Sequence, residues 1–124
     1  MTILIVDDDA DIRHLLTTFL TFKGYATLSA ANGREALMHL QLFQTRPFLI
    51  LLDYMMPVMD GAAFRNAQRQ DQRLAMIPVV VLSAVDTLEP PRVLADAYLA
   101  KPIDFDALLP LIEQYCAQSQ IAAV

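Results

Sequence analysis

Short apolar runs that stop at polar residues constrain this chain more than any other feature. Ile3-Leu4-Ile5-Val6 stops at Asp7 and Asp8, and Phe48-Leu49-Ile50-Leu51-Leu52 stops at Asp53. Val79-Val80-Val81-Leu82 stops at Ser83, and Tyr98-Leu99-Ala100 stops at Lys101, just before Pro102. The runs 3–6, 48–52 and 79–82 are apolar throughout rather than alternating. Strands of that kind are buried on both faces, as in a parallel sheet covered by helices. Helical patterns separate the runs, so the chain reads as repeated βα units. The carboxyl ends of parallel strands meet at one edge, which is where open α/β sheets bind ligands. Three acids, a hydroxyl and an amine are thus expected to share one shallow cleft. That set can hold a divalent cation and accept a phosphoryl group.

At 124 residues, the chain is expected to form one domain over 1–124. Its 56% hydrophobic content is ample for a core. The net charge is −5 and the basic residues are scattered singly, so no stripe for nucleic acid is present. The single cysteine, Cys116, excludes an internal disulfide and fits a reducing compartment. The first apolar run is too short, and too soon followed by acids, for a signal peptide. No run has the length of a membrane span. These features predict a soluble, cytoplasmic protein with neither nucleic acid nor membrane as a partner.

The helical patterns predict four main helices. The first covers about 10–23, with Ile12, Leu15, Leu16, Phe19 and Leu20 at helical spacing and Gly24 closing it. Tyr25 to Ala30 is mixed in character and reads as an edge strand. The next helix opens at Asn32, with Glu35 three residues on, a capping-box pattern. Its inner face is Ala36, Leu37, Leu40 and Phe43, which leaves Met38 and Leu42 outside. A third helix follows Asp60-Gly61 and runs from about Ala62 to Gln70. The last starts near Asp104 and buries Phe105, Leu108, Leu109, Ile112 and Tyr115. Pro110 lies inside it and predicts a kink. Fraying is expected from Gln118 to Val124.

Crowded carboxylates repel. At about 4 Å and an effective dielectric of about 20, each pair costs about 4 kcal/mol. Such a site either holds a cation or keeps one acid protonated. The charged ligands are all oxygens, and neither His14 nor His39 falls at a strand end. This selects a hard ion, Mg²⁺ or Mn²⁺, over zinc. A carboxylate can itself accept a phosphoryl group and give an aspartyl-phosphate. Catalysis of that transfer is mostly positioning and charge stabilisation. Asp53 is the expected nucleophile, because its run is central and lies between the acidic pair and Ser83. Lys101 supplies a compact cation and Ser83 a hydrogen bond to the phosphoryl oxygens.

Four motifs now stand in order along the chain: Ile5-Val6-Asp7-Asp8-Asp9, Leu52-Asp53-Tyr54-Met55-Met56-Pro57-Val58-Met59-Asp60-Gly61, Ile77-Pro78-Val79-Val80-Val81-Leu82-Ser83-Ala84 and Tyr98-Leu99-Ala100-Lys101-Pro102. Together they resemble the receiver domain of two-component response regulators, of the stand-alone chemotaxis type, over essentially the whole chain. The resemblance implies a flavodoxin-like, doubly wound, five-stranded parallel sheet in order 2-1-3-4-5, with five helices. It implies phosphorylation of Asp53, direct metal binding by Asp8, metal binding by Asp7 mostly through water, and a further ligand in the main-chain carbonyl of Met55. Ser83 and Lys101 would contact the phosphoryl group, and Tyr98 matches the family's switch aromatic. The implied donor is a phosphohistidine on a sensor histidine kinase or a histidine phosphotransfer protein. The output would pass by conformational change to a downstream protein. Such a module is not a turnover enzyme; it catalyses its own phosphorylation and hydrolyses slowly.

One departure stands out. Ser83 and Lys101 are 18 positions apart, about one helical turn less than in the family. The segment contains Glu89-Pro90-Pro91, and proline is tolerated only in a first helical turn. The fourth helix of the family is therefore expected to be shortened, to about 91–96. The family's usual dimer through its fourth and fifth helices is expected to fail for the same reason. Other readings fit less well. A haloacid-dehalogenase phosphatase needs a second acid where this chain has Met55. A flavin-binding domain needs a Ser/Thr/Gly-rich loop where this chain has Asp7-Asp8-Asp9. A receiver-like interaction module independent of phosphate is opposed by the intact acids, hydroxyl and lysine.

Overall fold

The computed structural model describes residues 1–42, 46–84 and 95–122. The chain order is β1 (Thr2–Val6), α1 (Ala10–Phe22), β2 (Ala26–Ala30), α2 (Gly33–Leu42), β3 (Leu49–Asp53), α3 (Gly61–Gln70), β4 (Val79–Ala84), β5 (Ala97–Lys101) and α4 (Phe105–Ala122). All five strands are parallel, in the order β2-β1-β3-β4-β5. The flavodoxin-like expectation holds, with four helices among the described residues.

Strand side chains alternate between the two faces of the sheet, so the continuous apolar runs feed two cores. Leu4, Val6, Ile50, Leu52, Val79 and Val81 pack with Ala36 and Leu40 of α2 and Phe64 of α3. Ile3, Ile5, Leu49, Leu51, Val80 and Leu82 pack with Leu16 and Leu20 of α1 and Leu108, Ile112 and Tyr115 of α4. Each fully buried Leu or Ile contributes roughly 1.5–3 kcal/mol. Every residue of β3 is buried, as its central place requires, whereas β2 and β5, at the two edges, each include exposed positions.

The helix ends are set by short polar side chains. Asp9 caps α1 by accepting from the amides of Asp11 and Ile12 at 2.9 and 3.4 Å. Gly24 stops that helix at φ +95°, a conformation that favours glycine. Asn32 caps α2 through the Glu35 amide at 2.8 Å. In return, Oε2 of Glu35 accepts from the amide of Ala31, at 3.4 Å, rather than from that of Asn32. Asp60 caps α3 through the Ala63 amide at 2.9 Å.

Several sequence expectations change in detail. Leu15, one of the apolar repeats of α1, faces outward. Phe105 and Leu109 are only half-buried, while Leu108, Ile112 and Tyr115 are buried. Pro110 cannot bond the carbonyl of Asp106, yet α4 continues through it to Ala122, past the expected onset of fraying. Met38 and Leu42 are exposed as expected. Phe43 lies outside the described residues, and so does most of the expected short helix over 91–96. Ala95 and Asp96 at its end are not helical. The reason is that Asp96 is bound into the sheet. Its amide donates to the carbonyl of Val79 at 2.9 Å, and its carboxylate accepts from the amide of Val79 at 2.8 Å.

The connection from β3 to α3 holds a strained residue. Val58 has φ +68°, and the amide of Met59 donates back to the carbonyl of Pro57 at 3.0 Å. This is a tight turn of the γ type, and a β-branched residue at positive φ is a steric outlier. Val58 is also exposed, so its side chain gains little from burial. Val58→Gly is expected to stabilise the fold by about 0.5–1 kcal/mol once the unfolded-state entropy of glycine is counted. A rise of about 2–5 °C in thermal midpoint is the corresponding readout.

Candidate functional site

Parallel register alone brings the polar run-ends together. Val6 pairs with Leu52, so Asp7 continues β1 beside Asp53 of β3. Asp53 pairs with Leu82, which puts Ser83 one step further out on β4. Ala84 pairs with Lys101 at the end of β5. All lie at the carboxyl edge of the sheet, across its three inner strands and one edge strand.

One oxygen from each of Asp7, Asp8 and Asp53 falls within 4.8 Å of the others. Asp7 is 0% exposed and Asp53 is 5% exposed, while Asp8 faces solvent. The Lys101 ammonium lies 2.9 Å from Oδ2 of Asp7 and 3.3 Å from Oδ1 of Asp53. Oδ1 of Asp7 accepts from the amide of Asp9 at 2.9 Å. Burial, followed by the charge of Asp7, pushes the Asp53 carboxyl up to about 6, against the opposing pull of Lys101. Burial works against the charge of Lys101, but Asp7 and Asp53 together outweigh it and hold the ammonium above its ordinary range. One cation therefore does not balance the acids. The donor set is all oxygen and underneutralised, which fits a hard divalent cation.

The other expected residues are less closely gathered. Ser83 is half-buried on the same edge. Met55 is exposed, two residues beyond β3. Tyr98 sits three residues before Lys101 on β5, about 10 Å along the strand, and points outward with 43% of its surface exposed. Its hydroxyl accepts from the amide of Ala95 at 3.0 Å. His14 is exposed, and His39 lies on α2 beside Glu35, at 3.6 Å. Gly61 is needed beside the nucleophile candidate, because a Cβ there would stand 3.0 Å from the carbonyl oxygen of Asp53. Sequence reasoning missed Arg13, whose guanidinium donates to the main-chain carbonyl of Asp7 at 2.7 Å. A cation in the first turn of a helix, where acids are favoured, was the available signal.

The sequence model described as the response regulator receiver domain matches residues 3–113. This chain belongs to that family. Among solved structures, the receiver resembles the signal receiver domain of a signal transduction histidine kinase from Syntrophus aciditrophicus. That likeness has a TM-score of 0.83 and 33% identity over 94% of this chain and 90% of the other. Chemotaxis protein CheY4 of Vibrio cholerae matches with a TM-score of 0.80 and 32% identity, over 92% of this chain and 97% of that one. Response regulator Rre1 of Synechocystis is 34% identical over 99% of this chain and 54% of its own length. The phosphate regulon transcriptional regulatory protein PhoB of Pseudomonas aeruginosa is 36% identical over 82% of this chain and 45% of its own length. The receiver thus spans about half the length of the curated relatives it matches. Membership places the chain in phosphorelay signalling, and the phosphate-independent alternative is not favoured.

The raised carboxyl of Asp53 makes stability depend on pH. The folded state holds that proton up to about pH 6, whereas an unfolded aspartate loses it near pH 4. Between those values the folded state binds more protons, so stability falls as pH rises. The loss is on the order of 2–3 kcal/mol and is complete above about pH 6. In metal-free solution Asp53→Asn should therefore be more stable than the parent at pH 7, with the gap closing as pH falls toward 4. Urea unfolding across this range is the measurement.

Proposed function

We propose that this receiver accepts a phosphoryl group on Asp53 from a phosphohistidine donor and passes the signal on through a protein contact. The observation that carries the reading is the juxtaposition of Asp7, Asp8, Asp53 and Lys101 at one strand edge. An oxygen of Asp53 attacks phosphorus, the new O–P bond forms, and the donor's N–P bond breaks with release of the imidazole. Asp8, Asp53 and the carbonyl of Met55 would hold Mg²⁺ directly; Mn²⁺ suits the same oxygens. Both oxygens of Asp7 are already engaged, one by the Asp9 amide and one by Lys101, which supports a role through water. Bound there, the ion neutralises charge on the transferred group. Lys101 places its ammonium on a second phosphoryl oxygen, and the Ser83 hydroxyl donates to a third.

Lys101 already spans Asp7 and Asp53, so it keeps a partner on either side of the transfer. The switch assigned to Tyr98 turns the ring inward as Ser83 moves toward the phosphoryl group. That turn gives up the hydroxyl's present bond to Ala95. The domain uses up one phosphoryl group per cycle rather than turning over a substrate. Among the described residues no helix is long and apolar enough to cross a membrane. The proposed place is the cytoplasm, beside a sensor histidine kinase or phosphotransfer protein, because the phosphohistidine donor is expected there.

Incubation with acetyl phosphate and Mg²⁺, read by intact mass, should add one phosphoryl group. Asp53→Asn and a metal-free control should gain none. A folded protein that gains nothing under these conditions would support the phosphate-independent reading instead. The Ser83–Lys101 connection is also short for the family, and this supports the reading that the family's usual dimer does not form. The phosphorylated domain is accordingly expected to scatter X-rays without that dimer, and a profile matching it would refute the expectation.

A further inference from the structure

We propose that Arg13 is a positioning residue for the metal-binding carboxylate of Asp8, an inference that rests on the Mg²⁺ reading above. The guanidinium of Arg13 donates from Nη1 to the main-chain oxygen of Asp7 at 2.7 Å, in a partly buried setting. That oxygen belongs to the peptide unit joining Asp7 to Asp8. A peptide unit is planar and resists twisting, so fixing its carbonyl also fixes the direction in which the chain enters Asp8. The backbone on the other side of Arg13 is anchored too, because its amide donates to the carbonyl of Asp9 at 3.0 Å. Arg13 thereby closes a ring around the turn that carries Asp7, Asp8 and Asp9.

The two acids differ in how they are held. Asp7 is tied at four points: its amide to Ala30, its carbonyl to Arg13, and its carboxylate oxygens to the Asp9 amide and Lys101. Asp8 is exposed, and its carboxyl lies against Asp53. The aim of the Asp8 side chain thus depends on the backbone beneath it, and Arg13 holds that backbone. Partners of this outer kind commonly change metal affinity by about 10–100-fold when removed.

Charge and positioning predict opposite signs, which makes the test decisive. Arg13 is a cation beside an acidic site. If its charge alone mattered, removing it would tighten Mg²⁺ binding. If it positions Asp8, removing it weakens binding. Titration of the full chain with MgCl₂, followed by calorimetry or amide NMR shifts, reads the dissociation constant directly. Arg13→Met, which keeps the apolar stem and loses the donors, is expected to raise that constant about tenfold. Arg13→Lys retains a cationic donor on a differently shaped head and should recover part of the loss; it also remains informative if the Met variant does not fold. A folded R13M protein that binds Mg²⁺ as tightly as the parent, or more tightly, overturns the proposal. So does an R13K protein that binds as tightly as, or more tightly than, the parent in a charge-conserving comparison where R13M does not fold, or no better than R13M where both fold. A parent protein that takes up no Mg²⁺ at all instead overturns the underlying metal reading.

Discussion

The ammonium of Lys101 between Asp7 and Asp53 is the contact on which the charge balance of the site depends. It joins residues 94 positions apart in sequence and ties β5 to the ends of β1 and β3. Two carboxylates that are almost wholly buried share this cation. A buried carboxylate deprived of its partner costs on the order of 3–5 kcal/mol, so the bridge offsets part of the cost of gathering these acids at the sheet edge. It is nevertheless an incomplete balance, as the upward displacement of Asp53 records. The proposed affinity for a further cation draws on that deficit, and the placement of Asp53 within it follows from the register of the strands.

The architecture makes this placement inexpensive. Four apolar side chains of β1 and all five residues of β3 are buried, so a slip of either strand would draw its terminal aspartate in between apolar layers or push an apolar residue out to the edge. The polar residue after each run is carried to the edge by that same constraint. Its position relative to its neighbours is set by hydrophobic packing several residues away. The site can therefore combine mutually repelling groups that would not assemble by themselves.

Much of this was legible in the chain because apolar runs and capping residues carry strong local information. Asp53 at the end of the central strand, Asp60 before α3 and Gly24 after α1 could each be placed from sequence. Other features depend on geometry that no local pattern encodes. Leu15 has helical spacing but lies on the outward side of α1. Arg13 shows in the sequence only as a cation in the first turn of α1, and its partner, a backbone oxygen, is set by the fold. Gln68 reads as an ordinary polar helix residue, yet it is fully buried and its amide nitrogen donates to the carbonyls of Leu74 and Ile77 at 2.9 and 3.1 Å. Pro110 breaks the helical pattern in the sequence, yet α4, packed along Leu108, Ile112 and Tyr115, continues through it to Ala122.

The bracket made by Asp96 on Val79 has a bearing on how such a chain can diverge. It pins the first residues of β4 and β5 side by side, so the position of β5 is decided below the crossover rather than within it. Closing a flexible loop costs only about 0.6 kcal/mol more for each doubling of its length. Residues can then be gained or lost between the two strands during descent while the amine at the far end of β5 stays above its acids. The length of the crossover can change while the register of β5 against β4, and with it the height of Lys101 beside Asp7 and Asp53, stays the same.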